Sequence, residues 1–434
     1  MVIGNFVKYN IFHKFAIFFP GLVMSPMNPV PALNRLLASL EANAFYRAKL
    51  ASADAPRQIA SAAEFATALP FTIKAELVED CARHPPFGSN LSHSRACYSR
   101  FCQSSGTSAG PLPTIDTAES WAVMLDVWDK VYDHAGLRTD DTLFFAFSFG
   151  PFLGFWTAFE AATRRGNLSI PGGGLGTRAR LEMLARYEVT VLCCTPTYAL
   201  RLGEVLRSEA AHLREKMRVR LILVAGEPGG SIPATRSLIS SSWNGATVRD
   251  HHGMTETGPI SYETLDHPGS LRVDLESYHA EIIDPATLQP VAPGATGELV
   301  ITTLRRLARP LLRYRTGDLV KPVWDEAGLR LEGGILGRCD DMLVVRGVNL
   351  YPSALESVVR GFPEVAEFQV RHRTVDSMTE LEVIVESAAP DGPDLARRIQ
   401  VALGSAFALR IPVTTTPVGS LPRDDFKSHR WITG

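Results

Sequence analysis

The sequence has no large excess of charge of either sign and no long run of like charges. Its 44 lysines and arginines nearly balance 46 aspartates and glutamates, which leaves a formal net charge of -2. A nucleic-acid backbone or an anionic membrane would require a basic surface, so neither is expected as the main partner. No stretch approaches the ~20 apolar residues of a membrane-spanning helix. Small-molecule chemistry is therefore the better starting hypothesis.

Disulfide and thiolate-metal patterns are also missing. The six cysteines show no paired C-x-x-C spacing, and two of them, Cys193 and Cys194, are adjacent within an apolar run. This usage is typical of buried, reduced thiols in a cytoplasmic protein. It argues against a disulfide framework and against a cysteine zinc site.

The first 27 residues lack the features of a signal peptide. Their apolar patch is short, contains Pro20 and is followed by no small-x-small cleavage site. We treat residues 1–27 as an extension that is either disordered or an incorrectly assigned start, with Met24 and Met27 as alternative first residues.

Short apolar strands alternate with longer helical segments from Thr142 onward. This alternation predicts right-handed crossovers and a mostly parallel sheet, which binds ligands beyond the carboxyl ends of its strands. From about 270 to 335 the sequence becomes β-rich, and the remainder is typical of a small α/β unit. We therefore predict an α/β protein. Its core domain, 28–339, combines mostly parallel sheets with a β-rich subdomain, and a small mobile α/β domain covers 340–434.

Six short motifs follow one another along the chain. They are SSGTSAGP (104–111), AGEP (225–228), HGMTE (252–256), YRTGD (314–318), GRCDDMLVVRGVN (337–349) and LPRDDFKSHR (421–430). Singly they are weak signals, because a glycine and serine cluster such as the first is more often an ordinary surface loop. In this order they resemble the adenylate-forming enzymes, in particular the phenylacetate-CoA ligase branch, from roughly Ala44 to Arg430.

The resemblance implies ATP-dependent activation of a carboxylic acid, expected to be aromatic, as an acyl-AMP, followed by thioester formation with CoA. ATP, Mg²⁺ and CoA are the implied cofactors, and a small carboxylic acid is the implied substrate. Transfer to a carrier-protein phosphopantetheine or to an amine stays open, as does a catalytically silent nucleotide-binding homologue. A homodimer also stays open.

The first motif is predicted to hold the ATP phosphates through backbone N–H groups and hydroxyls. Its phosphate-holding residues are predicted to be Ser104, Ser105, Gly106 and Thr107. Thr107 is also expected to help hold Mg²⁺ during catalysis. The loop departs from relatives that have a lysine here, since Gly110 and Leu112 stand where positive charge is often found. Either Mg²⁺ and other donors compensate, or ATP handling is weaker.

Glu256 of HGMTE is the expected Mg²⁺ ligand, because one carboxylate together with ATP phosphates and water suits this hard cation. His252 occupies the position where the family usually has a tyrosine that stacks on adenine. Further nucleotide-binding positions implied by the resemblance are Gly253, Thr255, Gly226, Glu227 and Pro228. Two alternatives are a purely structural role for Glu256 and a metal site formed by Asp250, His251 and His252. The second is disfavoured because the cysteines that bind metal in some relatives are absent.

Asp318 of YRTGD is expected to accept hydrogen bonds from both ribose hydroxyls, a role that suits an acceptor with two oxygens. Arg338 is expected to assist on the same sugar. By resemblance, Lys427 is the catalytic cation that bridges the substrate carboxylate and the phosphate. Asp340 is the expected hinge about which the small domain rotates between half-reactions.

The acyl pocket is expected near FSFGPFLGFW, where aromatic side chains follow a predicted strand. Its predicted lining residues are Phe147, Phe149 and Phe152, with Phe155 beside them. A role in the hydrophobic core is equally expected for these residues.

Overall fold

The computed structural model describes residues 28–104, 110–346, 348–375, 378–387, 392–423 and 430–433. Within these ranges the chain forms eleven α-helices and twenty-one β-strands. The helices are α1 (Val30–Ser39), α2 (Ala44–Ser52), α3 (Ala62–Ala68), α4 (Lys74–Arg83), α5 (Ala118–Ala135), α6 (Trp156–Arg164), α7 (Thr177–Arg186), α8 (Pro196–Ser208), α9 (Pro233–Ser242), α10 (Pro352–Arg360) and α11 (Gly392–Phe407).

The strands fall into five sheets. The strands of the large domain are β1 (Tyr98–Gln103), β2 (Pro113–Thr117), β3 (Thr142–Phe145), β4 (Leu168–Pro171), β5 (Val191–Cys194), β6 (Leu221–Val224), β7 (Thr247–Met254), β8 (Gly258–Glu263), β9 (Ser270–Val273), β10 (Tyr278–Ile283), β11 (Gly297–Thr303), β12 (Tyr314–Val320), β13 (Pro322–Asp325), β14 (Gly328–Glu332) and β15 (Gly337–Arg338). The remaining strands are β16 (Leu343–Val345), β17 (Val348–Leu350), β18 (Val365–Val375), β19 (Met378–Ser387), β20 (Val413–Thr416) and β21 (Trp431–Thr433).

A nine-stranded sheet in the order β13-β14-β9-β8-β7-β6-β5-β3-β4 forms the centre of the large domain. Strands β3 to β7 pair in parallel, and the strands from β7 through β8, β9 and β14 to β13 pair antiparallel. The predicted α/β class and its parallel strands are confirmed. The β-rich segment is divided, because β9, β13 and β14 extend the central sheet whereas β10, β11, β12 and β15 form a four-stranded sheet of their own.

Helix α5 shows how the local sequence positions these layers. Thr117 caps its first turn by accepting a hydrogen bond from the Ser120 N–H at 3.2 Å, and Gly136 ends it in the left-handed conformation at φ 77°. Its apolar face, which includes Trp121 and Trp128, packs against buried strand residues in the core of the sheet. The helix therefore packs against α6 and β8, and its Trp128 contacts His251 of β7.

The small domain has a four-stranded sheet in the order β20-β19-β18-β21, covered by α10 and α11 around a separate apolar core. Helix α10 of the small domain packs against α9 of the large domain. The Ser353 hydroxyl donates to the Leu336 carbonyl, and Arg423 makes two contacts of 3.2 Å with Glu204 of α8. None of the helices in the described part of the chain is long and apolar enough to span a membrane.

Candidate nucleotide-binding site

Two of the predicted motifs lie at the carboxyl ends of neighbouring parallel strands. Strand β6 ends at Val224 and leads into a turn in which Gly226 has φ 93°. Strand β7 carries His252 and Gly253 and is followed by the turn that contains Glu256. A side chain at Gly253 would lie 2.7 Å from the Gly258 carbonyl oxygen, so glycine permits the close turn between β7 and β8.

His252, Asp318 and Arg338 form a continuous polar chain from three strands. The His252 Nε2 lies 3.0 Å from Asp318 Oδ2, and Arg338 Nη1 donates to Asp318 Oδ1 at 3.2 Å. The side chains of His252 and Asp318 are only 10% and 8% exposed, whereas that of Arg338 is 41% exposed. Both carboxylate oxygens are therefore oriented by protein donors, and each retains a further lone pair for a ligand hydroxyl.

Gly317 allows this arrangement for two reasons. Its φ of 77° lies in the left-handed region, which side chains with a Cβ adopt only under strain. A Cβ at this position would also lie 2.7 Å from Arg338 Nη2. The glycine of YRTGD thus leaves room for the guanidinium that contacts Asp318.

Arg338 also pairs with the predicted hinge residue. Its Nε donates to Asp340 Oδ1 at 2.8 Å and its Nη2 to Asp340 Oδ2 at 3.1 Å. The Cys339 N–H donates to the Gly317 carbonyl at 2.7 Å. The start of the predicted small domain is therefore tied to the same strand that carries Asp318.

Glu256 is buried beside a cation that lies outside the sequence motifs. Its Oε1 is 3.1 Å from the Nζ of Lys74, the first residue of α4, and its side chain is 7% exposed. The sequence gives no signal for Lys74 until the first residue of α4 is known. Cations are disfavoured at helix N-termini by the helix dipole, so a lysine at the first helical position calls for another explanation.

A buried ion pair fixes the backbone of the Glu256 turn. Arg306 donates from Nε and Nη2 to the two carboxylate oxygens of Asp116 on β2, each at 2.7 Å, and from Nη1 to the Glu256 carbonyl. The side chains of Arg306 and Asp116 are 2% and 4% exposed. This pair, which the motifs did not predict, connects the strand after the phosphate loop to the HGMTE turn.

We expect Arg306→Met to lower the free energy of unfolding by about 3–5 kcal/mol, because Asp116 would remain buried without its partner. Urea unfolding followed by tryptophan fluorescence measures the change. The double variant Asp116→Asn/Arg306→Met should recover a large part of the loss, since no uncompensated charge remains. A single variant as stable as the parent protein, or a double variant no more stable than the single one, would contradict this role.

Glu227 of the AGEP turn has a structural contact of its own. Its Oε1 accepts a hydrogen bond from the Thr197 N–H at 2.8 Å, in the first turn of α8. A carboxylate in that position satisfies a free helix N–H and complements the helix dipole. Glu227 therefore joins the turn after β6 to the first turn of α8, and Pro228 follows it in the same turn. This contact does not depend on any that Glu227 makes with a ligand.

The three adjacent residues Asp250, His251 and His252 do not converge on one point. Asp250 accepts a hydrogen bond from Ser231 at 2.6 Å, and burial raises the pKa of its carboxyl to about 6. His251 packs on the Trp128 ring at 4.4 Å, and burial lowers its pKa to about 3, so it is neutral. Among the described residues, no group of three potential ligands is arranged to hold a metal ion.

The aromatic residues of the predicted acyl pocket pack mainly on one another. Phe147 and Phe149 stack with ring centroids 4.1 Å apart, and Phe149 meets Trp156 edge to face at 4.8 Å. Phe155 is buried, whereas Phe152 is 40% exposed. Phe149 has φ 51°, an unusual conformation for an aromatic residue. Phe147 and Phe149 thus form a pair beside the end of β3, and Phe152 lies outside that pair.

Several predicted positions lie outside the described residues: Ser105, Gly106, Thr107 and Lys427. Their roles stay predictions. Ser104, at the start of the loop, is described. Its backbone N–H donates to the Leu112 carbonyl at 3.1 Å and its hydroxyl accepts from the Leu112 N–H at 3.0 Å, so the two ends of the loop are joined.

Comparison with known proteins agrees with this geometry. A family model described as "AMP-binding enzyme" matches residues 15–304, and one described as "AMP-binding enzyme C-terminal domain" matches residues 347–433. The chain belongs to the AMP-binding enzyme family. This AMP-binding enzyme is 31% identical to a phenylacetate-coenzyme A ligase of Thermus thermophilus over 421 residues, which is 91% of this chain and 92% of the relative. It is 28% identical to the phenylacetate-coenzyme A ligase of Escherichia coli K12 over 76% of this chain and 78% of the relative. The predicted family is confirmed.

Solved structures of 2-hydroxyisobutyryl-CoA ligase are similar to this AMP-binding enzyme in fold. The complex with 2-HIB-AMP in the postadenylation state has a TM-score of 0.86 at 25% identity, over 93% of this chain and 88% of that one. The complex with 2-HIB-AMP and CoA in the thioesterification state has a TM-score of 0.69 at 26% identity, with the same coverage of both chains. The TM-score is therefore higher for the postadenylation complex than for the thioesterification complex.

Proposed function

We propose that the chain is an AMP-forming acid:CoA ligase that activates a carboxylic acid with ATP and transfers the acyl group to CoA. The observation that best supports this function is the contact between the two sheets of the large domain, in which His252 of β7 and Arg338 of β15 both contact Asp318 of β12. Glu256 lies in the turn that follows β7. Relatives named phenylacetate-coenzyme A ligase, similar over most of the chain, support the same conclusion.

In the first half-reaction, an oxygen of the acid carboxylate bonds to the α-phosphorus of ATP, and the bond from that phosphorus to the bridging oxygen breaks to release pyrophosphate. Negative charge develops on oxygens of both groups, so positioning and charge neutralisation supply most of the acceleration. Asp318 would hold the ribose hydroxyls and Arg338 would keep the carboxylate oriented. Glu256 is a single buried carboxylate, which fits a Mg²⁺ ion that keeps water and ATP phosphates as its other ligands. That ion would neutralise phosphate charge.

In the second half-reaction, the CoA thiol attacks the acyl carbonyl, loses its proton and displaces AMP. We assign Asp340 as the hinge residue, supported by its position between β15 and the small domain and by its two contacts with Arg338. Transfer to a carrier protein or to an amine and assembly as a homodimer stay predictions. A cytoplasmic location also stays a prediction, which the free state of all six cysteines supports.

An aromatic acid is the substrate class we propose. The stacked Phe147 and Phe149 rings beside the end of β3 would supply an apolar wall, and aromatic rings pack favourably on one another. The names of the phenylacetate-coenzyme A ligase relatives support the same class.

A pyrophosphate-release assay with ATP and Mg²⁺ tests the first half-reaction over aryl, arylacetic and short aliphatic acids. We expect arylacetic or aryl acids to give the fastest release. Addition of CoA should then accelerate AMP release more than a carrier protein or an amine does. Activity with none of the acids would favour a silent nucleotide-binding protein, and acceleration by another acceptor alone would assign the enzyme to that acceptor.

A further inference from the structure

The phosphate loop has a shortage of positive charge that the fold compensates. Between Ser104 and Leu112 the sequence contains no lysine or arginine. Departing pyrophosphate carries several negative charges, and enzymes that cleave ATP normally place a cation on its phosphates. A cation that takes this role would come from another segment of the chain.

Lys74 is placed to be that cation. Its Nζ lies 3.1 Å from Glu256 Oε1, and its side chain is 30% exposed, so it contacts a buried carboxylate while part of it stays accessible to solvent. Glu256 is the residue we assign to the Mg²⁺ of ATP. A cation held against that carboxylate lies in the region where the phosphates would bind.

The helix of Lys74 is fixed against the motif segments. One turn further along α4, Leu77 is 1% exposed and belongs to a buried apolar cluster with Leu112, which follows the phosphate loop, and Tyr314, the first residue of YRTGD. Met254 of HGMTE packs against the same cluster. Residues of two sequence motifs and Leu112 therefore pack against this helix, which gives its first residue a defined place.

The chain before Lys74 is also anchored to the YRTGD strand. The Thr72 N–H donates to the Arg313 carbonyl at 3.0 Å, and the Arg315 N–H donates to the Thr72 carbonyl at 2.9 Å. The Ile73 N–H donates to Glu76 Oε2 at 2.9 Å, which begins the helix. These bonds leave little freedom to the backbone that presents the lysine, as expected of a preorganised binding group.

The pair of Lys74 with Glu256 differs from an ion pair between two helices nearby. Lys49 of α2 contacts Glu76 of α4, a pair that joins two helices and requires no ligand. Lys74 makes no such pair between helices among the described residues. Its partner is a turn carboxylate at the nucleotide edge, and it sits where the helix dipole disfavours a cation.

We propose that Lys74 binds the β- or γ-phosphate of ATP and so replaces the lysine missing from the phosphate loop. This inference rests on the proposed function for the identity of the nucleotide. Lys74 would contact the pyrophosphate part of ATP, where a Mg²⁺ ion held by Glu256 would also neutralise charge, and Asp318 would contact the sugar.

Binding measurements with ATP and AMP test the proposal in the absence of acid and CoA. For Lys74→Met we expect affinity for ATP, and for its non-hydrolysable analogue with Mg²⁺, to fall about tenfold or more, the usual effect of losing a hydrogen bond to a charged group. Affinity for AMP should change less than about twofold, because AMP lacks both outer phosphates. Isothermal titration calorimetry measures both.

Lys49→Met is the matched control, since it removes a lysine that contacts the same helix and should leave both affinities unchanged. Lys74→Arg keeps the charge and should retain more ATP affinity than Lys74→Met. Unchanged ATP affinity in Lys74→Met would overturn the proposal. Equal losses for ATP and AMP would also overturn it, because they would indicate a structural role. Failure of every acid to release pyrophosphate would count against the proposed function alone, since these titrations require no acid.

Discussion

Lys427→Ala is expected to lower acid-dependent pyrophosphate release on the order of a thousandfold, a loss comparable to removing a preorganised group that stabilises transition-state charge. The described residues on either side of its segment are firmly held. Arg423 contacts Glu204 of the large domain and Glu386 of the small one, and Arg430 contacts Glu367 at 2.8 Å. The segment of Lys427 thus begins at the boundary between the two domains. Initial rates of pyrophosphate release measure the effect.

The second half-reaction separates a catalytic role for Lys427 from a structural one. Thioester formation from synthetic acyl-AMP and CoA should stay close to the parental rate in Lys427→Ala, because the cation serves only the adenylation step. Arg397→Ala is the control, since it removes an exposed cation of α11 that pairs with Asp394 within the same domain. Pyrophosphate release at the parental rate, or an equal loss in both half-reactions, would refute the assignment.

Asp318→Ala is expected to reduce kcat/KM for ATP by about a hundredfold or more, because hydrogen bonds to a charged group contribute about 1.5–3 kcal/mol each and two ribose hydroxyls lose their acceptor. The buried position between His252 and Arg338 strengthens the expectation, since the carboxylate is already oriented. Steady-state pyrophosphate release at varied ATP concentrations measures it.

A deoxynucleotide cycle tests whether Asp318 acts through the sugar. The parent protein should lose affinity for 2′,3′-dideoxy-ATP relative to ATP, whereas Asp318→Ala should bind the two nucleotides about equally. Asp325→Asn is the control, because Asp325 pairs with Arg272 at 2.6 Å in the nine-stranded sheet, whereas Asp318 lies in the four-stranded sheet. A full dideoxy penalty in Asp318→Ala would show that the ribose is recognised elsewhere.

The fold was predictable from local pattern where strands alternate with helices. The parallel strands β3 to β7 follow that alternation closely. Division of the β-rich segment between two sheets was not predictable, because β14 pairs with β9 and β12 with β15 through contacts that the turn residues do not determine. Strand partners are set by packing across the sheet, which a single sequence does not reveal.

The site was predictable as far as its residues belong to motifs. The structure brings Asp318 into contact with both Arg338 and His252, three residues that the motifs single out. The contact of His252 with Asp318 adds a polar role to its predicted stacking on adenine. Lys74 and the pair of Arg306 with Asp116 were missed. Each is a common residue type in an unremarked stretch, and Arg306 lies 190 residues from its partner, so only the three-dimensional structure joins them.

The contact between Arg423 and Glu204 has a consequence for turnover. Glu204 is shared, since Arg201 on the same helix also contacts it at 2.9 Å, and Arg423 keeps Glu386 of its own domain at 2.6 Å. The proposed rotation of the small domain would break the contact between Arg423 and Glu204, and each of these charges would keep an opposite charge beside it. The pair would then separate by an exchange of counter-ions.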